Sequence, residues 1–378
     1  MGKIRVACIG LGFGSNFVSV YQQHPNSVCA AICRRDRGKL EEAAKRYQVE
    51  KIYTDYEKLL RDPDIDAVPI NTQVPDHGHM TIAALKAGKH VACTVPMAMS
   101  IDECRQIAEL RDKTGLVYMM METAVFTREF LFVRQMVKEG KVGKIQFLRG
   151  NHQQNKDTPY CVPFWFGLPP MYYATHAVAP LLCLARENCA YVRCQGSGTI
   201  KENFIPIHNS PFAIETAHLK VRNSDLVCEI TRSMFDTIRQ YKESFDVYGT
   251  KMSLEWEQIK GEGMVEFTDI EDARRLKVPD FGHLLPPEIA HLTSYDGKDA
   301  GAGHTSFLQG GGHGGSYPHM VHEFLSAIAE NRDSLVDAQR AANWSMVGLC
   351  AHESAMNEGK RVNIPEFGFA RGVGADWF

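Results

Sequence analysis

Gly10-Leu11-Gly12-Phe13-Gly14-Ser15 follows a β-branched apolar run, KIRVACIG, and opens an amphipathic stretch that reaches His24. Between a strand and a helix, such glycines let the backbone approach a pyrophosphate, and the helix N-terminus presents free N–H donors with partial positive charge. Ser15 replaces the third glycine of G-x-G-x-x-G, and it is small enough for helix–strand packing. The second strand of such a unit usually ends on an acid that grips the ribose hydroxyls. Here it ends Cys33-Arg34-Arg35-Asp36. Arginine at that place stacks on adenine, neutralises a 2′-phosphate or is simply solvated, which leaves NADP open beside NAD.

A second set of residues suits proton transfer. His176 offers an imidazole that titrates near neutral pH, whereas Tyr172 and Tyr173 would need their phenols acidified by neighbours. Glu122 ends a strand at the margin where α/β sheets present ligand-binding residues. His313 lies in a glycine-rich stretch, GAGHTSFLQGGGHGGSYPH. Each also has a purely structural alternative in helix capping, wall packing or a surface loop. His77-x-His79 and His319-x-x-His322 have metal-like spacing without an acidic or cysteine cluster, so no metal is expected. A serine nucleophile elbow is absent.

The elements that must position these groups fall into two patterns. Up to about Thr123, strand-like runs (KIRVACIG, VCAAICRR, IDAVPIN, HVACTV, LVYMMME) alternate with helical ones. Ser100 and Glu103 form a capping box for a helix to about Lys113. This alternation predicts a Rossmann domain over 1–123, a parallel sheet with helices on both faces. From 124 to 378 the pattern is α+β: a helix from Thr127 to Glu139, the run KIQFLRGNHQ, an aromatic loop, a helix starting near Thr175, six strand runs separated by turn signals, and two helices near 319–331 and 338–357. That predicts a mainly antiparallel sheet.

Forty-two basic and 45 acidic residues leave a net charge of −3, which argues against a nucleic-acid surface. No run of about 18 apolar residues suggests a membrane span. Eleven cysteines without C-x-x-C pairs fit buried thiols in a reducing compartment, and the N-terminus reads directly as a strand, so a cytoplasmic location is expected.

GLGFG, DIDAVPINTQVPDHGHMTIAALKAGKHVACTVP and the antiparallel second part together resemble the Gfo/Idh/MocA oxidoreductase family. The resemblance implies a dinucleotide in the Rossmann domain and, in the second part, an open-faced sheet for binding a sugar or cyclitol and for oligomerisation. It puts Asn71, Thr72 and His77 near the nicotinamide, with Thr94-Val95-Pro96 on the family's E-K-P segment and Tyr172, Ala174 and His176 on its D-x-G-x-H segment. The usual dehydrogenases of the family pair a lysine and an aspartate with the histidine; here Val95 and Tyr172 stand in those places. MYYATHAVAPLL, CTVPMAMSIDEC and GGGHGGSYPHM are similar to segments of the family's NAD-dependent glycosidases, such as α-N-acetylgalactosaminidases.

That sub-branch implies redox-neutral glycoside cleavage: transient C3 oxidation, loss of the C2 proton, departure of the aglycone, addition of water and re-reduction. In that scheme His176 is the leading acid/base group, with Tyr172, Tyr173, Glu122 and His313 as further candidates. His152, Gln153, Trp165, His176 and His313 would contact the sugar. Gly10, Gly12, Phe13, Gly14, Ser15, Arg34, Arg35, Asn71, Thr72, His77, Thr94, Val95 and Pro96 would hold the cofactor. Two other functions compete: a net sugar or cyclitol oxidoreductase, and a silent dinucleotide-binding regulator. The family also implies a homodimer or homotetramer.

Overall fold

The computed structural model describes residues 2–159, 161–293 and 313–368. They form two compact units, one of Met1–Phe126 with Asp280–Ala342, the other of Thr127–Pro279 with Asn343–Glu366. A division into two continuous stretches at 123/124 therefore does not describe the chain. Asp280–Ala342 returns to the first unit because its Ser316–Glu330 helix packs on the first helix of the chain, with the Phe17 and Tyr317 rings 4.9 Å apart and His24 Nε2 3.0 Å from His322 Nδ1.

In the first unit, β1 (Ile4–Ile9), β2 (Ser27–Cys33), β3 (Ile52–Tyr53), β4 (Ala67–Ile70), β5 (His90–Thr94) and β6 (Tyr118–Met121) form one sheet in the order β3-β2-β1-β4-β5-β6. Every pairing is parallel. This is the doubly wound order whose switch point lies between β1 and β4. Helices α1 (Ser15–Gln23), α2 (Arg37–Tyr47), α3 (Tyr56–Leu60), α4 (His77–Lys86) and α5 (Ile101–Thr114) connect the strands. β4 and β6 are buried along their whole length, as expected of strands covered on both faces. The capping box at α5 forms as its sequence predicts, Ser100 Oγ accepting from the Glu103 N–H at 3.2 Å.

In the second unit, α6 (Arg128–Lys138) leads into β7 (Ile145–Gln153), and α7 (Thr175–Ala185) follows the aromatic loop. Strands β8 (Cys189–Ser197), β9 (Ile214–Val221), β10 (Val227–Ser233), β11 (Lys242–Gly249), β12 (Ser253–Glu255), β13 (Val265–Phe267), β14 (Ala273–Arg275) and β15 (Val362–Asn363) complete a nine-stranded sheet, β14-β13-β12-β11-β7-β10-β9-β8-β15. Only β7–β10 pair in parallel; the other ladders are antiparallel. The central strands alternate buried with half-exposed residues, so one face is covered and the other open.

Gly150 in β7 is what lets α7 settle on that covered face. A Cβ on Gly150 would lie 2.1 Å from the Ala177 carbonyl oxygen, with Leu181 also in the way. Gly150→Ala should therefore lower the unfolding free energy by about 2 kcal/mol, the scale of overpacking in a tight interior. Urea denaturation checks this; an unchanged midpoint would show that α7 does not need the close approach.

Candidate functional site

At the β1–α1 turn, Gly10 adopts φ +84 and lies against Asn71 at the end of β4, where a Cβ would meet the Asn71 carbonyl oxygen at 2.4 Å. Gly14 is equally constrained, since its Cβ would reach the Gly10 carbonyl oxygen at 2.1 Å and the Asn71 side chain at 2.8 Å. Gly12 has open space around it, so a backbone ridge there is free to take a phosphate. Ser15, the first residue of α1, donates to the Gly12 carbonyl at 2.9 Å, and the helix has no side-chain cap. Two N–H groups of the first turn are used internally, Asn16 donating to the Phe13 carbonyl and Phe17 to the Gly14 carbonyl, each at 3.1 Å, so an anion here would rely on the helix dipole and the Gly10–Gly14 backbone.

Asn71 is 5 % exposed and neither its amide nitrogen nor its amide oxygen has a hydrogen-bond partner. An orphaned buried amide beside a glycine cradle fits the edge of a dinucleotide, which supplies both donors and acceptors. Thr72 follows it. Asp36, the acid nearest the second-strand end, is used otherwise: it caps α2 by accepting from Lys39 N at 3.0 Å. Arg34 reaches the Leu11 carbonyl at 3.5 Å, and Arg35 is exposed.

His77 is a staple within this unit. Its Nδ1 lies 2.8 Å from the Pro96 carbonyl oxygen, and its Nε2 lies 3.3 Å from both the Thr72 carbonyl and Thr94 Oγ1. Burial lowers its pKa, so the ring is neutral and ties the β4 end to the β5 end. Val95 is buried at 5 % exposure. Glu122 is fully buried, and its Oε1 accepts from the Ala124 N–H at 3.0 Å, capping the turn after β6. His313 packs edge-on to Phe13 at 5.9 Å and lies 5.6 Å from Tyr317. The remainder of its glycine-rich stretch, 301–312, lies outside the described residues.

The second unit carries a different site. Register places Glu243 of β11 opposite His152 of β7, His152 opposite Arg232 of β10, and Arg232 opposite Glu215 of β9. Direct cross-strand partners share a face, so these four side chains form one polar row on the covered side of the sheet. His152, Arg232 and Glu215 are each no more than 1 % exposed, and the Glu243 side chain is 9 % exposed. His176, the second residue of α7, adds its imidazole from above: its Nε2 is 3.6 Å from Glu243 Oε1, and the His152 Nε2 is 3.7 Å from the same atom. The two imidazole rings are 5.0 Å apart.

Around this group, the Tyr241 hydroxyl donates to Glu243 Oε1. Tyr173 stands beside His152, His176 and Trp165, at 5.7, 5.5 and 4.9 Å between ring centres. Lys156 Nζ sits 3.9 Å over the Trp165 ring, a cation–π contact. Burial, then the Arg232 charge, lower the Lys156 ammonium to about 7. Burial also pushes Arg232 down to about 10, which leaves it charged at neutral pH. Its guanidinium donates to the carbonyls of Tyr173, His152 and Ser233.

The two tyrosines after the Pro-Pro turn part company here. Tyr173 joins the imidazoles; Tyr172 packs edge-on to His352 at 5.2 Å, and burial raises its pKa, the wrong direction for a base. His352 Nδ1 in turn meets Glu215 Oε1 at 2.7 Å, and Glu215 Oε2 accepts from the Met171 N–H at 2.7 Å. Gln153 points to the opposite sheet face from His152, because successive strand residues alternate. Sequence reasoning did not name Glu243, Tyr241, Lys156 or Glu215. A usable signal existed for one of them: Glu243 is the second residue of a strand, KESFDVYG, whose alternation sets it on the same face as Phe245 and Val247.

Residues 4–122 match the model of the family described as oxidoreductase family, NAD-binding Rossmann fold, GFO_IDH_MocA. The first unit carries a Gfo/Idh/MocA nucleotide domain. NAD is the cofactor of that domain. Across 402 residues the chain is 25% identical to the alpha-N-acetylgalactosaminidase of Shewanella oneidensis, covering 97% of this chain and 85% of that protein. It is 33% identical over 147 residues to trans-1,2-dihydrobenzene-1,2-diol dehydrogenase of Bos taurus, covering 37% of this chain and 43% of that one. A solved levoglucosan dehydrogenase, in complex with NADH and L-sorbose, superposes with TM-score 0.78 at 20% identity over 97% of this chain and 100% of its own, a likeness of fold.

Two outcomes follow. Asn71→Ala should leave the melting temperature of the NAD-free protein unchanged or higher, since it removes unsatisfied buried atoms, yet weaken NAD binding roughly fivefold or more. Calorimetric titration measures this, and equal NAD affinity in both proteins would disprove the role. Burial, reinforced by Arg232, holds the His152 pKa well below 6.5. The unfolded chain therefore binds more protons below about pH 6.5, and stability falls as pH drops from there. His152→Gln should flatten that fall between about pH 6.5 and 5 in urea titrations; a parallel slope would place the ring's proton elsewhere.

Proposed function

We propose that this chain cleaves a glycoside by a redox-neutral route, with His176 as acid/base group and NAD as the recycling cofactor. The observation that carries this is the pair of buried imidazoles, His152 and His176, flanking one carboxylate, in a protein whose lysine position holds proton-inert Val95. The relationship to alpha-N-acetylgalactosaminidase along nearly the whole chain supports the same reaction class.

NAD, when bound, supplies a reversible hydride acceptor that makes the sugar C3 a ketone and later restores it. Gly10, Gly12, Phe13, Gly14, Ser15, Asn71 and Thr72 hold it; Arg34 and Arg35 decide between NAD and NADP. With C3 a ketone, the C2 hydrogen is α to a carbonyl and acidic enough for imidazole to take. His176 accepts that proton, and Glu243 stabilises the imidazolium that results. Tyr241 keeps Glu243 oriented through its hydrogen bond. Tyr173 and Trp165 offer flat apolar faces for a sugar ring. Loss of the aglycone and addition of water at C1 follow, and the same imidazole returns a proton to C2.

Net oxidation of a sugar or cyclitol is the second reading, favoured by the fold likeness to sugar dehydrogenases. The open sheet face supports a homodimer or homotetramer, and eleven unpaired cysteines, ten of them buried, support a reducing, cytoplasmic setting. Among the described residues no helix is long and apolar enough to cross a membrane.

Incubation with a panel of aryl glycosides in deuterated water tests the route. Released sugar carrying deuterium at C2, with no net NADH, is the expected result, and His176→Ala should lower both cleavage and exchange at least a hundredfold. Steady NADH accumulation from a free sugar would establish the oxidoreductase instead.

A further inference from the structure

We propose that His152, His176 and Glu243 form a binding site for one divalent transition-metal ion of the zinc, cobalt and manganese class. The three ligand atoms lie within 4.8 Å of one another. At 3.6 and 3.7 Å, the two imidazole nitrogens are too far from Glu243 Oε1 for a hydrogen bond. The 3.6 Å separation matches instead the edge of a metal tetrahedron, about 3.3–3.6 Å for metal–ligand lengths of about 2.0–2.2 Å, and 3.7 Å lies just beyond it. Two histidines and one carboxylate with open positions are a recurring set for such ions.

A second observation points the same way. His152 is 1 % exposed and neither ring nitrogen has a hydrogen-bond partner, a costly condition unless something else occupies its lone pair. The set is also preorganised. His152 and Glu243 are fixed opposite each other by the β7–β11 ladder, and His176 sits in the first turn of α7. The Tyr241 hydroxyl donates to Glu243 Oε1, the oxygen that faces both imidazoles, and fixes where that oxygen lies. Arg232, the nearby cation, donates to three main-chain carbonyls and is held in place by them.

The metal-like spacings of the sequence, from which no metal is expected, lie elsewhere. His77 is engaged by Pro96, Thr72 and Thr94, and His322 by His24. Residues 152, 176 and 243 come from three elements and form no spacing motif. A cation here would make a coordinated sugar hydroxyl more acidic, a service that Val95 cannot give. The inference goes beyond the proposed reaction, because uptake is read without sugar or NAD. Absence of uptake leaves the proposed reaction standing, whereas an ion held on His176 Nε2 would take that nitrogen out of proton transfer.

The test strips the full-length protein with a chelator and titrates it with Co2+ and with Zn2+, reading metal content after equilibrium dialysis and the visible absorption of Co2+. About one equivalent per chain is expected, with a tetrahedral or five-coordinate Co2+ spectrum. His152→Ala and Glu243→Gln should each weaken uptake at least tenfold, whereas His79→Ala should not. Wild-type protein that takes up less than one equivalent overturns the proposal whatever the variants do. So does uptake that is unchanged in folded His152→Ala and Glu243→Gln.

Discussion

A row of charged and polar side chains, Glu243, His152, Arg232 and Glu215, crosses four adjacent strands beneath a helix. Burying such groups is unfavourable unless each finds a partner, so the row dictates what surrounds it. Arg232 is held by carbonyls of Tyr173, His152 and Ser233; Glu215 is held by the Met171 N–H and His352. Those same bonds fix the turn that leads into α7. The turn sets Tyr173 toward the imidazoles and Tyr172 toward His352. Position and charge are thus decided together: the interactions that make the row tolerable also aim His176.

The nucleotide unit follows a different constraint. Its strands are parallel and covered on both faces, and its ligand end is shaped by close backbone approach at Gly10 and Gly14. Asn71 is left with unsatisfied amide atoms at that end, while His77, expected near the nicotinamide, and Asp36 are occupied by internal bonds. The buried Val95 carries no proton-exchanging group. The proposed proton chemistry rests on the imidazole pair of the second unit.

Much of the architecture was legible because it rests on local rules. The glycine turn after a β-branched run, the Ser100–Glu103 cap and the β-α alternation each act over a few residues, and each appears where the sequence put it. The start of α7 at Thr175, and with it the place of His176, was legible for the same reason. The return of Asp280–Ala342 to the first unit was not, because it depends on the Ser316–Glu330 helix burying Tyr317 against Phe17, some 300 residues away.

By itself the sequence determined a nucleotide-binding α/β unit, a mainly antiparallel second unit, and the candidate imidazoles, since turn chemistry and periodicity are written locally. Only the tertiary structure decided which of these side chains meet. Glu243 reaches His152 through strand register, and Arg232 and Glu215 fall in line through two further ladders. Register is fixed by the burial of one whole sheet face, a property of all its strands at once, so no short segment announces it.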